Sequence, residues 1–111
     1  MSKYGAIRTT VNGITFDSKA EARRHGQLVL LERAGRIKDL KRQVQFLVAP
    51  GVRLHGEKRA RPAIRYLADF VYQCPIDGTV IEDVKGMDTP MSRLKRHLVK
   101  TVLGLDVRLV T

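Results

Sequence analysis

The sequence predicts an α/β fold of the α+β sandwich kind, ordered helix, three strands, helix, strand, behind a short N-terminal hairpin or arm. Three observations carry this reading. Two stretches have helix-start and helix-stop residues at both ends, and β-branched or aromatic runs lie between them, separated by turn dipeptides. A hydrophobic content of 43 % in 111 residues suits one domain with a single core and argues against disorder.

The first element is read from Tyr4 to Phe16 as a hairpin or arm, because Asn12-Gly13 is the strongest hairpin-turn dipeptide in the chain. Ser18, with Glu21 three residues on, fits a capping box and opens a helix from about Ser18 to Ala34, closed by Gly35. At 100° per residue, Ala20, Gln27, Leu28, Leu30, Leu31 and Ala34 share one arc, with Arg24 inside it and Glu21 on its edge. Gln43 to Val48 reads as a strand and Pro50-Gly51 as a turn; Val52 to Pro62 is a basic loop or hairpin extension. Ile64 to Gln73 and Thr79 to Lys85 read as an antiparallel hairpin turning at Asp77-Gly78. Thr89 caps a second helix with Pro90 in its first position; it runs to about Leu103 and stops at Gly104, and Asp106 to Val110 forms a last strand.

Charge narrows the function. Lys and Arg number 21 against 11 Asp and Glu, a net +10, which points to a polyanion, with nucleic acid the first candidate. No apolar run approaches a membrane span and the first ten residues have no signal-peptide apolar stretch, so a cytoplasmic protein without membrane contact is expected. The single Cys74 excludes an internal disulfide, and His25, His55 and His97 have no metal-binding spacing. A hard cation on oxygen ligands is the metal that suits this composition. With 5 % aromatics and no Trp there is little for a base-stacking platform.

The chemistry concentrates in Tyr66-Leu67-Ala68-Asp69-Phe70 and Val80-Ile81-Glu82-Asp83-Val84-Lys85-Gly86. Strand alternation puts Ile81, Asp83 and Lys85 on one face and Val80, Glu82 and Val84 on the other. Hairpin pairing can bring Asp69 beside Asp83, and two close carboxylates repel unless a cation or proton sits between them. Taken alone, the Asp-x-Lys triplet is weak evidence: Asp83 and Lys85 also fit an ordinary ion pair on an exposed sheet face, and Asp69 a strand-edge solubility charge. On the second helix Met91, Leu94, Leu98, Val99 and Val102 form an apolar face and Arg93, Arg96, His97 and Lys100 a basic stripe opposite, while Lys95 falls inside the apolar arc.

These residues, together with Gly13-Ile14-Thr15-Phe16-Asp17-Ser18-Lys19-Ala20-Glu21-Ala22 and Leu40 with Gln43, resemble the PD-(D/E)XK nuclease superfamily, more closely a group of small phage proteins long catalogued as a domain of unknown function. Ala68 stands where the superfamily's name has Pro, and Asp83 takes the middle acidic position, with Glu82 a rival by a one-residue slip. The resemblance implies a restriction-endonuclease-like core with a mixed sheet flanked by helices. It implies a Mg²⁺-dependent DNA endonuclease, Mn²⁺ substituting, without an organic cofactor, encoded by a phage or prophage and used in recombination, processing or degradation of DNA. Asp69 and Asp83 would then be metal ligands, Glu21 would hold a metal-bound water or a second ion, and Lys85 would orient the attacking water or neutralise charge. Gln43, Lys95 and Arg24 are candidates for site support. For these three the alternatives are an exposed glutamine at a strand start, a lysine snorkelling past the core edge and an arginine merely misplaced on its helix.

Lys58, Arg59 and Arg61 on the loop, and Arg93, Arg96 and Lys100 on the second helix, are the candidate DNA contacts, suited to phosphates rather than bases. Few of them are expected to have an acidic neighbour to pair with. One small domain offers one active site, so cutting both strands implies two nicks or a symmetric homodimer. The rival readings are a non-catalytic DNA-binding protein on the same core and an RNA-binding basic domain. The latter leaves the acids at strand positions unexplained.

Overall fold

A computed structural model describes residues 7–111. The N-terminal hairpin is β1 (Thr9–Val11) paired with β2 (Ile14–Phe16). Asn12 and Gly13 between them both have positive φ, 50° and 80°, the mirror-image turn whose twist matches the strands it joins. The expected beginning of this hairpin at Tyr4 lies outside the described residues.

Helix α1 (Lys19–Arg33) starts where the capping residue demands, with Ser18 Oγ accepting from the Glu21 N–H at 3.1 Å. It ends on Gly35 at φ +76°, where the Gly35 and Arg36 N–H groups return to the carbonyls of Glu32 and Leu31. Its buried line differs from the expected arc. Glu21 and Leu28 are buried, with Ala20 and Leu31 packed beside them, whereas Leu30 is 65 % exposed. The polar residues decide this rotation, because Glu21 and Arg24 find partners on the sheet and His25 lies between the rings of Phe16 and Phe70.

The main sheet contains β3 (Lys38–Ala49), β4 (Ile64–Cys74), β5 (Gly78–Val84) and β6 (Val107–Val110) in that spatial order. The first three are antiparallel and β6 runs parallel to β5, so the sheet is mixed. Strand β3 begins five residues before the expected Gln43 and contains an irregularity near Asp39, which has φ 57°. Gln43 is thus mid-strand. The β4–β5 connection closes on the pair Cys74↔Gly78 and so spans three residues rather than two.

Helix α2 (Pro90–Leu103) has the expected Thr89 cap, first-turn proline and left-handed Gly104. It leads to β6 through Leu105, which packs in the cluster beneath α2, a crossover that lets β6 run parallel to β5. The helices cover opposite faces. Leu28 of α1 packs with Phe70, Tyr72, Val80 and Val84, and Val99 of α2 with Val48, Tyr66, Ala68 and Ile81. The chain is therefore an α+β sandwich around a mixed sheet, with an N-terminal hairpin. Among the described residues no helix is long and apolar enough to cross a membrane.

Candidate active site

Four acids lie inside this otherwise basic protein: Glu21, Asp69, Glu82 and Asp83 are each at most 4 % exposed. Acidic side chains at such depth require partners, and the partners divide the four into two groups.

The first group gathers where the sheet changes its pleat. Tyr66 and Ala68 pack beneath α2, while Phe70 and Tyr72, of the same parity, pack beneath α1. Alternation is therefore reset at Asp69. Across the ladder the same reset passes through Gln43, between the pairs Arg42↔Phe70 and Val44↔Ala68, where Gln43 adopts φ 52°. A left-handed conformation costs a non-glycine residue on the order of 1 kcal/mol or more, and such strain persists where surrounding contacts fix it. Here the Gln43 amide donates to Glu21 Oε1 at 3.0 Å and to Asp69 Oδ1 at 3.3 Å, joining helix to sheet.

Continuing the pairing Phe70↔Glu82 by one residue sets Asp83 opposite Asp69. Asp69 Oδ2 accepts from the Val84 N–H at 2.8 Å. Asp83 Oδ2 accepts from the Tyr66 hydroxyl at 2.7 Å and lies 3.1 Å from Lys85 Nζ. Burial, reinforced by the neighbouring Asp69 charge, pushes Asp83 up to about 6 despite the opposing pull of Tyr66 and Lys85. Tyr66 is pushed upward as well, by burial first and then by Asp83. One oxygen in the cluster, Glu21 Oε2, is buried without a hydrogen-bond partner among the described residues. Such an atom calls for a water or a cation.

The second group is Glu82 alone, which lies on the α1 face of β5, away from its neighbour Asp83. Arg24 grips it with two parallel bonds of 2.7 Å, Nε to Oε1 and Nη2 to Oε2, and Tyr72 donates its hydroxyl to Oε2. Burial favours the neutral acid, yet the bonds from Arg24 and Tyr72 outweigh it and hold Glu82 below the usual range. Tyr72 is pushed up to about 12, by burial and then by Glu82. Glu82 is thus excluded as the partner of Lys85, and Arg24, expected near the site, is engaged one turn away from it.

The other expectations separate similarly. Lys95 is half-buried on α2, with no ion pair or hydrogen bond tying it to the carboxylates. Arg96 was expected on an outer stripe, but its side chain is only 17 % exposed. It binds both oxygens of Asp88, at 2.7 and 2.9 Å, and Ser92 Oγ, and its charge is felt by Tyr66 and Asp83. Arg93 also meets Asp88, Lys100 meets Asp106 and Arg61 meets Glu57. The expectation of cations without acidic neighbours therefore fails for all four, because turns and helix ends deliver Asp88, Asp106 and Glu57 to them. Lys58 and Arg59 remain exposed and have no ion-pair partner among the described residues.

Tyr66 was missed by sequence reasoning. Regular alternation places it on the face away from Asp69, and only the pleat reset joins the two. The reset leaves no distinctive trace in sequence, since the run around it has two glutamines, Gln43 and Gln45, and only the first lies at the reset.

Among the described residues, no three His, Cys, Asp or Glu side chains converge as a ready metal cage. What is assembled is a buried pair of facing aspartates, a lysine on one of them, and a glutamate bridged by glutamine to the other. No curated protein and no solved structure matches this chain. The family described as protein of unknown function DUF1064 matches it over residues 1–109, nearly its whole length, and the chain belongs to that family.

Proposed function

We propose that the chain is a metal-dependent DNA endonuclease of the PD-(D/E)XK type. The supporting observation is the facing pair Asp69 and Asp83 with Lys85 Nζ 3.1 Å from Asp83 Oδ2. The residues suit a hard cation. Mg²⁺ commonly takes only one or two carboxylates and keeps several waters, so a closed protein cage is not required. The unpartnered Glu21 Oε2 is an acceptor left for such a water.

Asp69 and Asp83 would hold Mg²⁺ or Mn²⁺, which when bound supplies Lewis-acid charge and an acidified water for phosphodiester hydrolysis. Gln43 keeps the Glu21 and Asp69 oxygens at a fixed separation. Lys85 stands over Asp83 and offers its remaining N–H groups to a phosphate oxygen, where negative charge grows during attack. Tyr66 fixes the Asp83 rotamer from beneath. The net charge of +10 attracts the polyanion that the acids alone would repel.

The test is nicking of supercoiled plasmid with Mg²⁺, Mn²⁺ or EDTA. Wild type is expected to cut with either metal and not in EDTA, and Asp69→Ala and Asp83→Ala to lose cutting while retaining their circular dichroism and most DNA affinity. Undiminished cutting by Asp83→Ala overturns the proposal. The second reading, a non-catalytic DNA-binding protein, is favoured by one observation: Tyr66 and Lys85 already satisfy Asp83. It predicts metal-independent binding and no cutting.

A further inference from the structure

Strand β5 pairs with β4 only over its second half, so residues 44–49 and 64–68 form a two-stranded ribbon beyond it. The bridge Val52↔Arg61 carries the pairing past the ends of β3 and β4, with N···O distances of 3.1 and 2.6 Å. At Gly51 a Cβ would lie 2.7 Å from the Arg61 carbonyl oxygen, so the two chains pass in close contact. This is an ordered extension. The molecule as a whole is elongated, with a 54 Å long axis and a radius of gyration of 16.0 Å, where about 13 Å is usual for this length.

One face of the ribbon is covered, since Phe46, Val48, Tyr66 and Ala68 pack in the cluster beneath α2. By alternation the other face carries Gln45, Leu47, Arg65 and Leu67, cross-paired as Gln45↔Leu67 and Leu47↔Arg65. Leu47 and Leu67 are 50 % and 47 % exposed, and further out Val52 and Leu54 are 54 % and 48 % exposed. This face starts two residues from Gln43, in the carboxylate cluster. From Val52 to Arg65 the chain has five Lys or Arg and a single acid, Glu57. Exposed aliphatics interleaved with excess cations do not suit a second copy of a chain with net charge +10, which would bring like charges together. They suit duplex DNA, whose phosphates take the cations and whose base steps admit aliphatic wedges.

We propose that this ribbon is a DNA-deforming arm: it enters the minor groove, inserts Val52 and Leu54 between base steps, and bends the duplex toward the carboxylate cluster. The inference rests on the nucleic-acid part of the functional reading and not on cleavage. The substrate class implied is duplex DNA that is already kinked, nicked or branched, where unstacking is least costly.

The experiment is resonance energy transfer between dyes at the two ends of a short duplex, with EDTA present so that no strand is cut. Binding of wild type is expected to bend the duplex by roughly 20–90°. Val52→Ser with Leu54→Ser is expected to lose the bend while affinity falls less than about tenfold, because phosphate contacts remain. Both side chains are exposed, and circular dichroism verifies the fold. Binding without bending, or a double variant that bends like wild type, overturns the proposal. So does a DNA-free dimer, by sedimentation, that the double variant converts to monomer, for the face is then an interface between copies. A protein that bends DNA in EDTA yet never cuts with Mg²⁺ would retain the arm and lose the nuclease reading.

Discussion

Asp83 shows how much of this site is decided by single oxygens. Its Oδ2 serves Tyr66 and Lys85 together, while burial and Asp69 lift the acid to about 6, so the folded protein holds a proton that the unfolded chain releases near 4. An acid raised in this way supports folding below its unfolded value. That support fades as pH rises through the folded value, because between the two the native state binds more protons. Asp83→Asn, which mimics the protonated acid, should therefore leave stability unchanged below pH 4 and raise it by up to about 3 kcal/mol above pH 7 in EDTA. Urea unfolding of both proteins at the two pH values measures this. Equal stability at pH 7 would show that Lys85 and Tyr66 already offset the whole burial cost.

At the scale of elements, α1 is fastened to the sheet at two polar points, Gln43 with Glu21 and Arg24 with Glu82. Removing one partner of a buried pair leaves the other charge stranded, so Arg24→Ala should cost roughly 3–5 kcal/mol. Replacing both with apolar residues, Arg24→Met with Glu82→Leu, should recover most of it, as thermal unfolding would reveal; an equal loss in the double variant would mean that the pair is not the fastening. The elements themselves were legible in sequence because turns and caps are local: Asn12-Gly13, Ser18, Gly35, Thr89 and Gly104 all act where expected. The Asp83 and Lys85 face was legible for the same reason, since alternation within one strand is local. Less legible was whatever depends on a neighbouring strand. The pleat reset at Asp69 and Gln43 hid Tyr66, and the polar anchors of α1 turned Leu30 outward against its hydrophobic pattern.

At the scale of the whole molecule, the net +10 is spread less evenly over binding surfaces than the sequence suggests, because the fold neutralises many cations in place. Arg61 is held by Glu57, Arg93 and Arg96 by Asp88, and Lys100 by Asp106. A cation that already has a carboxylate releases fewer DNA counterions, since it must give up or share that partner. Lys58 and Arg59 have no such partner among the described residues, and they stand on the extension beyond Val52. Each free contact with a duplex phosphate adds about −0.9 to the slope of log affinity against log salt. Lys58→Ala with Arg59→Ala should thus flatten the slope by up to ~1.8 units, whereas Arg61→Ala alone should change it by well under ~0.9. Fluorescence anisotropy with a labelled duplex in EDTA, over roughly 50–200 mM salt, resolves the two. A slope unmoved by the double variant would remove the extension from the DNA path. A full contact's worth from Arg61 would mean that Glu57 releases it on binding, and the arm's charge would then be assembled by the DNA itself.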